Sequence, residues 1–424
     1  MASIEGPVAI ILAAGHGKRM KSDTAKVLHQ VCGRPMISYV VDAARAAGAR
    51  SVVVVVGFAA DQVRAALANE PDVHFVEQTR QLGTGDAVRV CRPLLEGYTG
   101  PALVLVGDEP LLRAQPLQYL LERQQSEKVA CLLGTAVVDD PTGFGRVVRD
   151  SAERFLRIVE QRDCTPEQAT IREINPSCYV FQLPELWDAV ERLDTMNAQG
   201  EYYLTDAPTL LQQDGLKVTA IPALCGEDIL GVNTRQHLAQ AQAIMQMRIL
   251  DQLMTDGVTI VDPRSTHIDG RAQIGKDTII HPFTVISGNV RVGERCRIGP
   301  LAHLRDGTVL ENGAEVGAFV ELSQTHLGEN AIARHLAYLG NARIGSRANI
   351  GAGAVVANFD GVSKSQTEIG AGAFVGSGSI LVAPVRIGDR ATVGAGAVVT
   401  RNHDVPAGET VIGVPARPMP RAPK

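Results

Sequence analysis

Two hydrophobic rhythms divide the chain. From residue 8 to about residue 232, short apolar runs alternate with stretches whose apolar positions recur at helical spacing. Residues 8–13, 52–56 and 103–106 are nearly continuous apolar runs, the pattern of strands buried on both faces of a parallel sheet. Residues 36–47 and 59–68 between them carry helix-period apolar positions. The alternation predicts a three-layer, Rossmann-like, doubly wound α/β domain over residues 1–232. Residues 235–254 are glycine-free, with Leu238, Ile244, Met247, Leu250 and Met254 at helical spacing. They predict a connecting helix, placed at 233–256, whose methionines serve packing.

From about residue 257 the rhythm changes. An aliphatic residue followed by glycine recurs at Ile274, Val292, Ile298, Val316, Leu327, Ile344, Ile350, Ile369, Val375, Ile387 and Val393. Nearly all the spacings are multiples of six within one residue. Three such hexapeptides make one triangular coil, so residues 257–415 are predicted to form a left-handed parallel β-helix, followed by a tail at 416–424. The period breaks between Val316 and Leu327, one residue short, and between Ile350 and Ile369, one residue long. The second break holds a polar loop, Ala357 to Lys364, which a bare coil would not need and which therefore marks a working face.

Composition narrows the function. The 42 glycines and only 4% aromatic residues suit tight corners and thin cores. A net charge of −5 argues against nucleic acid as a partner, because backbone phosphates call for clustered cations. The seven cysteines form no CxxC pair, so neither a zinc site nor a disulfide framework is indicated. The opening segment reads as a buried strand and not a signal peptide, and no apolar run is long enough to span a membrane. The expectation is a cytoplasmic protein.

The first apolar run ends in Leu12, Ala13, Ala14, Gly15, His16, Gly17, Lys18, Arg19 and Met20, with Lys21 and Lys26 following. Glycines at a strand end let backbone N–H groups approach a phosphate, and nearby cations neutralise it. Alone, such a turn is equally well a solvated loop. Its weight comes from features at later strand ends, where open α/β sheets bind their ligands. One is the glycine-rich turn from Gln78 to Gly85. The other is Asp108, directly after an apolar strand, either a magnesium ligand beside phosphates or a helix N-cap.

These residues resemble a known family. The segment from Leu12 to Met20 with Lys26-Val27-Leu28-His29 is similar to the signature of sugar-phosphate nucleotidyltransferases. The series Gln81 to Gly85, Gly107-Asp108, Pro141 to Arg146, Ile158 to Gln161, Glu173 to Asn175, Asn197 to Asp206 and Gly231 to Asn233 resembles one subfamily. It is the bifunctional UDP-N-acetylglucosamine pyrophosphorylase/glucosamine-1-phosphate acetyltransferases of bacterial envelope synthesis, and the likeness continues through the β-helix. The resemblance implies that Leu12, Ala13, Ala14, Gly15, Gln78, Gly83 and Thr84 hold uridine, with Arg19 and Lys26 on the phosphates of UTP. It implies that Gly145, Glu160, Asn175, Tyr203 and Thr205 line an N-acetylglucosamine pocket, and that Asp108 and Asn233 bind Mg²⁺. In the β-helix it implies His335 as general base. Arg305, Tyr338, Asn349 and Lys364 would contact glucosamine-1-phosphate, and Asn358, Phe359, Ser377 and Ala395 would line the groove for acetyl-CoA. The flat faces of a triangular β-helix, buried by packing three prisms side by side, further predict a homotrimer.

The chain departs from the family's pattern in places. Val106 stands for a Tyr, Ser323 for a phosphate-binding Lys and Phe359 for a Tyr. The segment from Val411 to Pro418 resembles simpler hexapeptide acyltransferases, and the stretch before Val292 is shorter. Two readings of the second half follow. In one it acetylates glucosamine-1-phosphate, with Ser323 weakening substrate binding and Arg334 as a partial substitute. In the other it is a trimerising scaffold for a uridylyltransferase.

Overall fold

The computed structural model describes residues 6–419. The outermost parts of two sequence-defined segments, residues 1–5 of the first domain and 420–424 of the tail, lie outside the described residues. Contacts divide the chain into two compact units, one ending at Ile244 and the other beginning at Met245. A single helix, Arg235–Thr255, includes that position.

In the first unit the strand Val8–Leu12 lies mid-sheet, parallel to Ser51–Val56 on one side and Pro101–Val106 on the other. Its alternating side chains feed two cores. Ala9 and Ile11 join Val52, Val54, Leu103 and Leu105 beneath the helix Met36–Ala46. Val8 and Ile10 join Val53, Val55, Ala102 and Val104 beneath the helices Thr84–Arg89 and Glu185–Glu191. Burial on both faces explains why these strands read as unbroken apolar runs. The sheet is mixed and not wholly parallel, because Glu173–Gln182 runs antiparallel between Pro101–Val106 and Cys131–Val137. A hairpin of Gly145–Arg149 and Phe155–Val159 branches from it.

The second unit is the left-handed β-helix, with three parallel sheets as faces. The first face stacks strands from Thr259–Ile260 to Thr410–Ile412, the second from His267–Ile268 to Val398–Val399, and the third from Gln273–Ile274 to Val385–Ile387. One aliphatic or small residue per strand points inward. On the second face these are Ile268, Ile286, Leu304, Leu322, Leu339, Val356, Leu381 and Val399, all buried. Half of the interior positions lack a following glycine, so the sequence motif marked only part of the ladder.

The register locates the breaks. Leu304 pairs with Leu322, Leu322 with Leu339 and Leu339's neighbour Tyr338 with Val355. Coils are 18 residues long until Leu322. The corners Leu322 to Leu327 and Leu339 to Ile344 are each one residue short, so two adjacent coils are tightened where the sequence pattern had singled out one. The break after Ile350 is an insertion of seven residues, between Val356 and Ile369, in one 25-residue coil. A coil that skips one hexapeptide and carries a seven-residue insertion differs from a multiple of six by one, which hid the loop's true size.

Candidate functional site

At the front of the first unit, Leu12 lies level with Val55 and Val106 on its two neighbours. Glycines flank it on both sides. A Cβ on Gly57 would meet the Ala14 carbonyl at 2.8 Å, and one on Gly107 would stand 3.3 Å from the Leu12 carbonyl. The loop after Leu12 therefore lies flat across three strand ends. Among the described residues the N–H groups of Ala14, Gly15, His16 and Gly17 donate to no acceptor in the protein. Successive outward N–H groups of this kind form an anion-binding concavity. Arg19 is exposed on the short helix Lys18–Met20, whose Met20 is buried.

Lys26 begins the short helix Lys26–Leu28, and its ammonium pairs with Asp108 and donates to the Asn233 Oδ1 at 3.1 Å. Three residues separated by up to 207 positions thus meet at one point. The Val232 N–H donates to the Asp108 carbonyl at 2.9 Å, tying the two segments side by side. Arg113 and Asp228 hold the approach to Asn233. The Arg113 Nε and Nη2 donate to the two Asp228 oxygens at 2.7 and 2.8 Å, and the Asp228 side chain is fully sealed. The guanidinium and the Cys225 N–H outweigh burial and hold that carboxyl below its ordinary range. Glu109 is the opposite case: burial first, then the charge of Asp108, push its carboxyl well above the usual range.

The oxygens of Asp108 and Asn233 already converge on one cation, the Lys26 ammonium. Two hard oxygen donors, leaving most of an octahedral shell to water and phosphate oxygens, are the donor set magnesium takes beside nucleotides. The residues fit Mg²⁺. Among the described residues there is no cluster of three or more His, Cys, Asp or Glu side chains to enclose an ion by itself.

The second glycine-rich turn is tied internally. Gln78 is 3% exposed, and its Nε2 donates to the Gly83 carbonyl at 3.0 Å and to Asp86 at 2.8 Å. Gly83 has φ +122, and a Cβ there would lie 2.5 Å from the Tyr202 carbonyl. Thr84 Oγ1 accepts from the Leu204 N–H at 3.1 Å. This turn is thereby joined to the segment carrying Tyr203 and Thr205. Tyr203 accepts from Gln199 at 2.7 Å, and Thr205 is buried against Glu160. Burial raises the Glu160 carboxyl, and the Thr205 hydroxyl bond opposes that only in part. Gly145 pairs with Asn175 across the sheet, and a Cβ on it would stand 3.4 Å from Glu160. Asn175 donates to the Tyr179 hydroxyl at 2.7 Å. Gly145, Glu160, Asn175, Tyr203 and Thr205 therefore form one connected wall. Gly57 and the Arg113–Asp228 pair escaped sequence reasoning. Gly57 had a signal, since it follows the strand Ser51–Val56 as Gly107 follows Pro101–Val106.

In the β-helix, His335 ends the strand Ile332–His335 at the corner between the first and second faces. Two residues beyond each inward residue, the ladder places His335, Ala352, Ser377 and Ala395 in one column. At ~4.8 Å per coil, Ser377 lies about 10 Å and Ala395 about 14 Å from His335 along it. The adjoining column changes character at His335. Phe283, Leu301, Phe319 and Leu336 occupy successive coils with φ between +52 and +59, each strongly exposed. Gly353, Gly378 and Gly396 follow at the same corner position. An exposed apolar ridge thus gives way, past His335, to a row of glycines without side chains.

The second face carries Arg305, Ser323 and Gly340 in one column and Glu321 and Tyr338 in another. Arg305 pairs with Glu321 at 2.9 Å. A Cβ on Gly340 would meet the Tyr338 hydroxyl at 2.7 Å and the Asn358 amide at 2.8 Å, so those two groups converge over it. The inserted loop leaves this face at its far corner, with Asn358 buried and Phe359 and Lys364 exposed. Asn349 stands on the first face. Among the described residues the side chains of His335, Asn349 and Lys364 make no hydrogen bond. One chain therefore assembles Arg305, Glu321, Tyr338 and Asn358, and leaves His335, Asn349 and Lys364 apart. Arg334, next to His335, is engaged by Glu315 at 2.7 Å.

All seven cysteines are free, and among the described residues no helix is long and apolar enough to cross a membrane. Residues 9–171 match the MobA-like NTP transferase domain family. Residues 271–306 and 366–401 match the bacterial transferase hexapeptide family, described as six repeats. The bifunctional protein GlmU of Pelobacter propionicus is 45% identical, over 90% of both chains. The proteins of the same name from Pelotomaculum thermopropionicum and Geobacter metallireducens are 41% and 40% identical, each over 89% of this chain and covering 89% and 90% of their own lengths.

Proposed function

Because this chain belongs to the family of bifunctional GlmU proteins, we propose that its two units perform successive transfers on amino-sugar phosphates. Residues 1–232 transfer UMP from UTP to N-acetylglucosamine-1-phosphate. Residues 257–415, reached through the helix at 233–256, acetylate glucosamine-1-phosphate from acetyl-CoA. The setting is cytoplasmic and the assembly a homotrimer.

In the first reaction a phosphate oxygen of the sugar phosphate attacks the α-phosphorus of UTP, and the bond to the β-phosphate breaks as pyrophosphate leaves. The nucleophile is already an anion, so no general base is needed; the barrier is repulsion between phosphates and misalignment. Lys26, Arg19 and the N–H groups of Ala14, Gly15, His16 and Gly17 neutralise the triphosphate. Mg²⁺ held by Asp108 and Asn233 would add charge neutralisation at the same phosphates. Gln78, Gly83 and Thr84 hold the nucleobase side, and the wall from Gly145 to Thr205 orients the sugar. The observation that carries this reading is the convergence of Lys26, Asp108 and Asn233 beside a loop with four outward N–H groups. A coupled assay comparing UTP and N-acetylglucosamine-1-phosphate with other nucleotides and sugars tests it. Faster turnover of another pair overturns the substrate assignment.

In the second reaction the substrate amine attacks the acetyl carbonyl, His335 takes a proton from the attacking nitrogen, the C–S bond breaks, and that proton passes to the departing thiolate to release coenzyme A. The pantetheine arm would lie along the Ser377 and Ala395 column, with Asn358 and Phe359 at the groove. Arg305, Tyr338, Asn349 and Lys364 would bind the sugar phosphate. His335 and the Lys364 loop occupy opposite corners of one face, roughly 15 Å apart at the rise of a strand. Three prisms packed side by side would bring the Lys364 loop of one chain to the His335 of the next, with closed threefold symmetry.

A further inference from the structure

The inserted loop is not a free flap. Asp360 closes it: its Oδ1 accepts the N–H groups of Val362 at 3.0 Å and Ser363 at 2.8 Å, and its own N–H donates to the Ser363 carbonyl at 3.2 Å. Gly361, with φ +96, allows the turn. The ends are joined where the Ser365 N–H donates to the Asn358 carbonyl at 2.8 Å and where Phe359 bridges Lys364.

What connects this closed turn to the body of the helix is Arg401, 41 residues later in the chain. Asn358, Ala383 and Arg401 each stand two residues beyond an inward residue, Val356, Leu381 and Val399, and so share one corner column on consecutive coils. The Arg401 side chain runs back along that column. Its Nε donates to the Ala383 carbonyl at 3.1 Å, and its Nη2 reaches the Asp360 Oδ2 at 3.1 Å. Asp360 Oδ1 thus takes both N–H groups of the turn, while Oδ2 takes Arg401 and, at 3.4 Å, the Ser363 hydroxyl. Both partners lie at the surface, with side chains 44% and 29% exposed.

We propose that Arg401 and Asp360 form a latch that positions Lys364 for the sugar phosphate, making both positioning residues of the acetyl-transfer site. The inference rests on the acetyltransferase reading above. It adds a requirement that reading does not contain: a residue two coils away, with no contact to substrate, sets the KM for glucosamine-1-phosphate. The asymmetry of the carboxylate supplies the test. Asp360→Asn can keep the turn through its remaining oxygen, whereas its amide can no longer receive Arg401.

The experiment uses the full chain. Arg401→Ala and Asp360→Asn are each expected to raise KM for glucosamine-1-phosphate about 2- to 5-fold, in the range of a surface ion pair, with kcat for acetyl transfer unchanged. Their double variant should be no worse than either alone. Arg401→Lys, which can still reach one of the two acceptors, should recover part of the loss. Uridylyl transfer should be unchanged in all four. Hydrogen exchange of the Ser363 and Ser365 amides, read in the same proteins without substrate, should accelerate in Arg401→Ala. Unchanged exchange, or additive KM effects, overturns the latch. If the parent chain releases no coenzyme A, the acetyltransferase reading fails, and the exchange data still decide whether Arg401 orders the loop.

Discussion

The two candidate sites differ in how much of each a single chain completes. In the first unit the charged groups answer one another within one chain: Lys26 with Asp108 and Asn233, Arg113 with Asp228, Glu160 with Thr205. In the β-helix the groups assigned to chemistry, His335, Asn349 and Lys364, face outward without partners among the described residues. The difference follows from the folds. A twisted open sheet gathers several strand ends and the loops between them into one crevice. A triangular prism can gather residues along one face, as it does Arg305, Glu321, Tyr338 and Asn358, but it points residues of different faces and corners away from each other. A site finished inside one chain and a site half finished on its surface should respond differently to substitution.

The largest effects should come from the reacting groups, and each should silence one site only. His335→Ala is expected to lower acetyl-transfer kcat by about 10²- to 10⁴-fold through loss of the proton acceptor, with uridylyl transfer intact. Coenzyme A release and pyrophosphate release, measured on the same preparation, check this. Asp108→Ala should lower uridylyl-transfer kcat by ~10²-fold or more and leave acetyl transfer and the folded state as they were. Near-normal turnover at ordinary magnesium concentrations would remove Asp108 from the metal site.

A smaller effect sharpens the comparison at the outward site. Ser323 lies between Arg305 and Gly340 in the second-face column, beside Tyr338. A cation introduced there joins the groups already present, so Ser323→Lys should lower KM for glucosamine-1-phosphate by roughly 10- to 150-fold, the worth of one hydrogen bond to a charged group. The parent chain accordingly needs high substrate to release coenzyme A.

The smallest effect belongs to the inward site and is read as stability. Burial raises the Glu160 carboxyl, so the folded state favours its protonated form. The charged form becomes a burden as pH rises from the ordinary glutamate range through the raised value. Glu160→Gln, which cannot ionise, should gain stability on the parent over that rise, seen as a higher Tm of the first unit, while weakening sugar binding. Thermal unfolding at acid and neutral pH measures it. A gap that shrinks with rising pH would contradict the burial argument.

Much of this was legible in the residues. Unbroken apolar strands announced a sheet covered on both faces, and the aliphatic-glycine period announced the β-helix. Position within the sheet was less legible. The antiparallel strand Glu173–Gln182 is as apolar in its buried stretch as its parallel neighbours, because burial on both faces sets composition and direction does not. The glycine count found only part of the ladder, since many inward residues are followed by another residue, as at Ile280-His281, Leu304-Arg305 and Leu322-Ser323. The size of the inserted loop was masked because counting by sixes cannot separate one extra residue from seven. Long-range pairs such as Arg113–Asp228 and Asp360–Arg401 have no local signature at all; only the folded chain brings them together.

The central claim is that the acetyl-transfer site joins His335 of one chain to the Lys364 loop of another, whereas the uridylyl site needs one chain alone. Co-expressing full-length His335→Ala with full-length Lys364→Ala, under two affinity tags, and isolating mixed assemblies tests it directly. In the isolated mixed trimers about one site in three would pair an intact His335 with an intact neighbouring Lys364. The account predicts acetyl transfer near a third of the parent rate, from two parents that are each severely impaired alone, with uridylyl transfer at full rate throughout. Mixed assemblies no more active than the two variants measured separately would contradict it, and would place His335 and Lys364 at the same site within one chain.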